Sequence, residues 1–157
     1  MQNVKRFGRH LPLWLVDKEK KREMSRIIDE FSKKSNFYSE KGASGEMITK
    51  AEETLGLSFA DEYKEYLQQY GAVSCGGHEL TGFSEDANLD VVKVTGKNLE
   101  SNPNVKMPLY VIEETHIDGI VIWQSESGEV FKAEYKEKPV KIYESFTEYV
   151  STFENKE

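Results

Sequence analysis

Residues 44–83 read SGEMITKAEETLGLSFADEYKEYLQQYGAVSCGGHELTGF, and this stretch decides the fold. Ser44 is a good helix N-cap, Glu46 sits in a first turn where the helix dipole favours a carboxylate, and Ile48, Ala51 and Leu55 share one face before Gly56 ends the helix. A further helix is expected at once, with Ser58 as cap and Asp61 three residues on in a capping-box-like arrangement. Phe59, Tyr63, Tyr66, Leu67 and Tyr70 fall at i, i+4, i+7, i+8 and i+11, and Gly71 is the residue best suited to stop the helix in the left-handed conformation. The tyrosines on this stripe are expected at the core boundary, hydroxyls reaching water or backbone. Gly76-Gly77 then turns the chain into a strand over residues 78–83.

Outward from this unit, Met24, Ile27, Ile28 and Phe31 have the spacing of an earlier amphipathic helix ending near Asn36. Residues 88–101 read as a helix with Val91, Val92 and Leu99 inward, although Val-rich residues 90–95 also suit a strand. Asn102-Pro-Asn104 and Pro108 mark a loop. The period then changes to two over residues 109–112, 119–124, 129–135 and 140–143, with turns at 115–118 and 125–128. A last helix opens on Ser145 and Glu148 and buries Phe146, Tyr149, Val150 and Phe153. Helices first, an antiparallel meander next and a helix last give the expected class: α+β, N-terminal helices packed on one face of a mainly antiparallel sheet, with a C-terminal helix.

A chain of 157 residues with 38% hydrophobic content has the size of one domain with one core. Its net charge of −7 argues against direct nucleic-acid binding, because a negative surface repels phosphates, and makes a basic partner the better electrostatic fit. The charge is uneven. Residues 1–22 carry seven Lys/Arg against two Asp/Glu, about +5, which leaves about −12 for residues 23–157. We therefore expect a basic, loosely ordered leader over residues 1–22 and a single folded domain over residues 23–157. Two readings fit the leader, a frayed terminus docking Trp14 and Leu15 on the body and a basic-apolar tag for an acidic partner or membrane. With a single cysteine, Cys75, and no apolar run near the roughly 20 residues that span a bilayer, the expected location is cytoplasmic, with no membrane span.

No catalytic constellation stands out. His10, His78 and His116 are scattered, Cys75-Gly-Gly-His78 is half a zinc site without a second pair, and no metal or cofactor is expected. Asp118, followed by Glu134-Tyr-Lys136, resembles the carboxylate and E-x-K set of metal-dependent nucleases; the alternative is that Glu134 and Lys136 share the solvated face of a strand. The loops do offer carboxylates: Glu85, Asp86 and Asp90, then Glu113, Glu114 and Asp118, then Glu126 and Glu129. Together they would form a negative patch for a basic protein partner, with Tyr110 or Trp123 as an aromatic anchor, Trp123 being equally suited to the core.

The run Ile48-x-x-x-Glu52-x-x-Leu55-Gly56, then Phe59-Ala-Asp-Glu-Tyr63-Lys-Glu-Tyr-Leu67, Tyr70-Gly71 and Leu80-x-Gly82-Phe83, resembles the signature of the SUKH superfamily, which includes bacterial toxin-immunity proteins and a fungal regulator of cell-wall synthesis. The resemblance covers roughly residues 24–154. It implies scaffold roles for Ile48, Glu52, Leu55, Gly56, Tyr63, Leu67, Gly71, Gly82 and Phe83. It also implies a non-enzymatic protein that binds and neutralises a cognate toxin, often a nuclease, or a regulatory module acting on an endogenous partner. Ala60 stands where the family usually has proline, a first-turn position suited to proline's fixed φ.

Overall fold

The computed structural model describes the backbone of residues 12–157 and the side chains of 12–15 and 26–157. Residues 1–11 of the leader, and the side chains of residues 16–25 with Met24 among them, lie outside the described residues. Helix α1 spans Leu13–Ser32, with Leu13 and Trp14 exposed at its start and Ile27 and Phe31 buried at its end. It stops four residues before Asn36 because Lys34 turns inward. Its ammonium group meets Glu30 at 3.0 Å, Asn155 Oδ1 at 2.7 Å and the Phe153 carbonyl at 3.3 Å, which ties the helix end to the chain's last residues. Burying a lysine side chain is costly unless its donors are paired in this way.

Strand β1 (Tyr38–Lys41) precedes α2 (Gly45–Leu55), in which Ser44 Oγ accepts the Met47 N–H and Gly56 adopts φ 69°, as the sequence predicts. Helix α3 (Asp61–Gln69) starts later than expected. Ser58 does not cap it; the Ser58 N–H donates to Glu126 Oε2 at 2.7 Å, and Ala60, extended at φ −63° and ψ 152°, holds the cap position. Glu52 fixes the short connection by accepting the Phe59 N–H at 2.8 Å while pairing with Lys64 at 3.4 Å. The Ala60 N–H donates to the Tyr110 hydroxyl at 3.0 Å. Proline there would keep φ but lose this buried bond, so Ala60→Pro is expected to cost about 1 kcal/mol, read as a lowered denaturant midpoint. A midpoint raised by the substitution would show that backbone restriction outweighs the bond.

Gly71 does not stop α3 in a left-handed turn. Tyr70 is already extended, and Gly71 lies buried within β2 (Tyr70–Cys75), a strand not expected from the sequence, as β1 was not. Gly76 and Gly77, at φ 52° and 85°, form the two-residue hairpin to β3 (His78–Leu80). These strands make an antiparallel sheet in the order β1-β2-β3. Helix α4 (Val91–Ser101) is capped by Asp90, whose Oδ2 accepts the Lys93 N–H at 3.2 Å. It buries Val91, Val94, Thr95 and Asn98, whereas Leu99 points outward at 37% exposure. The meander follows as β4 (Leu109–Glu114), β5 (Ile120–Ser125), β6 (Val130–Glu134) and β7 (Val140–Tyr143), neighbours in chain order and all antiparallel. Helix α5 (Phe146–Val150) closes the domain, with Ser145 Oγ accepting the Glu148 N–H at 3.0 Å and Glu62 accepting the N–H groups of Phe146 and Thr147.

Alternation along the strands sorts side chains into two layers. Tyr110, Ile112, Ile122 and Val130 face the main core with Ile27, Phe31, Tyr63, Tyr66, Leu67, Phe146 and Val150. Leu109, Val111, Trp123, Phe131 and Ala133 form a second cluster on the opposite face with Val94 of α4. The class is α+β, with the N-terminal helices and α5 in the main core and α4 reaching both clusters through Val91 and Val94. Tyr63 and Tyr66 are fully buried and not at the core boundary. The Tyr63 hydroxyl lies 2.9 Å from Thr81 Oγ1, the Tyr66 hydroxyl donates to the Thr81 carbonyl at 2.6 Å, and Thr81 joins the sheets through its N–H to Ile112 O at 2.9 Å.

Candidate functional site

The acidic residues singled out from the sequence separate into anchored and surface groups. Glu113 is 4% exposed on β4, where its carboxylate lies 2.9 Å from His78 Nδ1 and accepts the Tyr149 hydroxyl proton, so it is an internal strut between β3, β4 and α5. Burial and the adjacent Glu113 carboxylate push the Tyr149 hydroxyl well above its ordinary pKa. Glu114 is held by Asn98 Nδ2 at 2.9 Å and Lys97 at 3.2 Å. Glu126 caps the Ser58 amide, and Glu129 pairs with Lys141 at 3.0 Å, which draws the Glu129 carboxyl below its usual range. Asp118 is exposed in the β4–β5 turn at φ 52°, at the opposite end of β5 from Glu126. Tyr110 and Trp123, 0% and 1% exposed, are core residues and not surface anchors.

His78 and Cys75 are likewise engaged within the fold. The His78 ring stacks on Phe153 with centroids 3.6 Å apart, and Cys75 is buried, its thiol pushed up to about 11 by burial. Glu134 ends β6, where it lies 4.0 Å from Lys132. Tyr135 follows at φ 50°, so Lys136 lies beyond the strand and does not share a strand face with Glu134; its carbonyl accepts a bond from Asn104 Nδ2.

The structure does bring Glu85 and Asp90 together. They line an open groove of about 450 Å³ with Glu40 and Lys41 of β1, Gly42, Met47 of α2, Phe83 and Ser84. Asp86 stands at its margin, its N–H donating to Ser84 Oγ at 3.0 Å and its Oδ1 accepting the Asn88 N–H at 2.9 Å. Ser84 Oγ in turn donates to the Glu40 carboxylate at 2.8 and 3.1 Å. Met47 is 46% exposed and Phe83 half-buried, so apolar surface lies open between carboxylates. Sequence reasoning missed Glu40, Met47 and Ser84. Glu40 stands in the short strand YSEK, which has no apolar alternation, and Met47 lies outside the Ile48, Ala51 and Leu55 face of α2.

Of the scaffold residues, Phe83 lines this groove, while Tyr63 and Leu67 belong to the core. Gly71 and Gly82 allow their two backbone segments to touch, and a Cβ on Gly82 would lie 2.6 Å from the Gly71 oxygen. The Gly82 N–H donates to Leu89 O and the Val91 N–H to Gly82 O, which fixes Asp90 at the groove's edge. Among the described residues no helix is long and apolar enough to cross a membrane. A protein-family model described as SMI1-KNR4 cell-wall, of the SUKH group, matches residues 24–153, well over half of the chain. No curated protein matches it.

Proposed function

We propose that this chain, which belongs to the SUKH family, is a non-enzymatic cytoplasmic protein-binding module that serves as an immunity protein, binding a cognate polymorphic toxin and occluding its active site. One observation carries the reading. The polar groups that catalysis would draw on, Glu113, His78 and Tyr149, are engaged in holding elements together, while Glu85, Asp86, Asp90 and Asp118 stand at the surface of a chain with a net charge of −7. Such a surface suits a basic protein, and a nuclease is the toxin class whose substrate demands a basic cleft. The partner-binding role extends to Glu85, Asp86, Asp90 and Asp118; Glu113, Glu114 and Glu126 act through the scaffold.

The second reading, a regulatory module acting on an endogenous protein, is favoured by the cell-wall description of the matching family. Co-expression with the product of an adjacent toxin-like gene separates the two. Under the immunity reading, cells making the toxin survive only when this chain is present, and the purified pair elutes as a one-to-one complex. Capture of an endogenous partner with no protection from any neighbouring toxin would instead establish the regulatory reading.

A further inference from the structure

We propose that the groove between β1, the segment 83–85 and the starts of α2 and α4 is a receptor for an arginine side chain presented by the partner protein. This rests on the protein-binding reading. Three carboxylates, Glu40, Glu85 and Asp90, and one ammonium group, Lys41, line it, a net of −2. The carboxylates alone would be ordinary solvated surface; the floor distinguishes the place. Met47, nearly half exposed, and the half-buried Phe83 lie within the same groove of about 450 Å³, so an aliphatic stem is covered while a cationic head meets carboxylate.

Glu40 is prepared for this role. Both of its oxygens face the single Ser84 hydroxyl, which orients the carboxylate but occupies little of its accepting capacity, since an ionised carboxyl offers about four lone-pair sites. With the edge between its two oxygens taken by Ser84, Glu40 meets a guanidinium through a single outer lone pair, and the other N–H groups of the planar head are left for neighbouring carboxylates, a spread of donors that a compact ammonium group lacks. Phe83 adds a ring for cation–π or stacking contact.

The groove is also set against anions. Two helix N-termini open toward it, and an anion would ordinarily find N–H donors there. At each, a cap side chain already takes one of the N–H groups. Ser44 Oγ takes the Met47 N–H at 3.3 Å and Glu46 stands in the first turn of α2, while Asp90 takes the Lys93 N–H at the start of α4. With three carboxylates against one ammonium group in the lining, the charge that faces the groove disfavours an anion.

The test uses the full chain and the peptide acetyl-Ala-Arg-Ala-amide, with its citrulline counterpart as a neutral isostere. Titration followed by nuclear magnetic resonance should shift the Met47 methyl and Ser84 amide signals saturably with the arginine peptide. The citrulline peptide should bind at least tenfold more weakly, as should the arginine peptide with the double variant Glu40→Gln/Glu85→Gln. Equal response to both peptides, or no saturable shift at Met47 and Ser84, overturns the proposal. The same double variant is then tested against the cognate toxin. If wild-type chain and variant bind it equally, the groove is not the recognition site although the immunity reading stands. If the peptide saturates the groove but the chain protects against no toxin, the immunity reading fails and the arginine site stands.

Discussion

Gly82→Ala is expected to destabilise the domain by about 3 kcal/mol, enough to lower its denaturant midpoint sharply. Gly82 does not need its glycine for a left-handed turn. The cause is proximity: an added Cβ would lie 2.6 Å from the Gly71 oxygen, 2.7 Å from its carbonyl carbon and 2.8 Å from the Ala72 nitrogen. These are backbone atoms within β2, paired on one side with β1 and on the other with β3, so none can swing away as a side-chain tip would. Gly71→Ala should behave similarly, with Lys41 O at 2.6 Å and Phe83 O at 2.9 Å. Gly45→Ala is the control, because nothing lies within 4 Å of its Cβ and it opens α2; the expected change is within about 0.5 kcal/mol. Equal midpoints for Gly82→Ala and Gly45→Ala would show that the sheet and the 82–91 segment part freely. The substitution also bears on function, since the Gly71–Gly82 contact sets where Phe83, Ser84 and Asp90 stand around the groove.

That contact also marks what the sequence could and could not convey. Periodicity carried the elements whose cause is local: Ser44 and Gly56 bracket α2, Ser145 opens α5, and the meander follows from alternation between turns. The family signature was legible as well, and residues 24–153 match it. Where the cause is tertiary, local rules pointed elsewhere. Gly71 looked like a helix stop because glycine usually serves there, but it is required by Lys41 and Phe83, far along the chain. Ser58 looked like a cap because Asp61 follows it, yet Glu126 claims its amide. The acidic loop residues were indistinguishable in sequence, since nothing local reveals that Glu113 meets His78 and Tyr149 whereas Glu85 faces an open groove.

Alkaline unfolding should be unusually steep, because the core is built on buried tyrosine hydroxyls. Tyr63, Tyr66 and Tyr110 are fully buried and Tyr149 nearly so, and burial raises the pKa of each above the ordinary 10.0. The hydroxyls are retained for bonding: Tyr63 and Tyr66 meet Thr81, while Tyr110 donates to Gln124 Oε1 at 2.8 Å and Gln124 Nε2 to Gly128 O at 2.9 Å. An ionised phenolate in that network would lose its donor and stand uncompensated in a low dielectric. Since the folded pKa lies above the unfolded one, the stabilisation is whole below about pH 10 and is lost as pH rises past it, by about 1.4 kcal/mol per pH unit for each tyrosine. Four such residues acting together give roughly 5 kcal/mol per pH unit, which removes a typical domain stability between about pH 11 and 12.5. Cys75, held up at about 11 against 9.0, adds to the loss from lower pH. Denaturant midpoints measured from neutral to alkaline pH should stay level and then fall steeply, with tyrosinate absorbance rising in step with unfolding. Tyr149→Phe should reduce the limiting slope by about 1.4 kcal/mol per pH unit. Tyrosinate absorbance that saturates while the far-ultraviolet spectrum remains native would mean that these hydroxyls ionise in place and that their bonds to Thr81, Gln124 and Glu113 do not hold the sheets together.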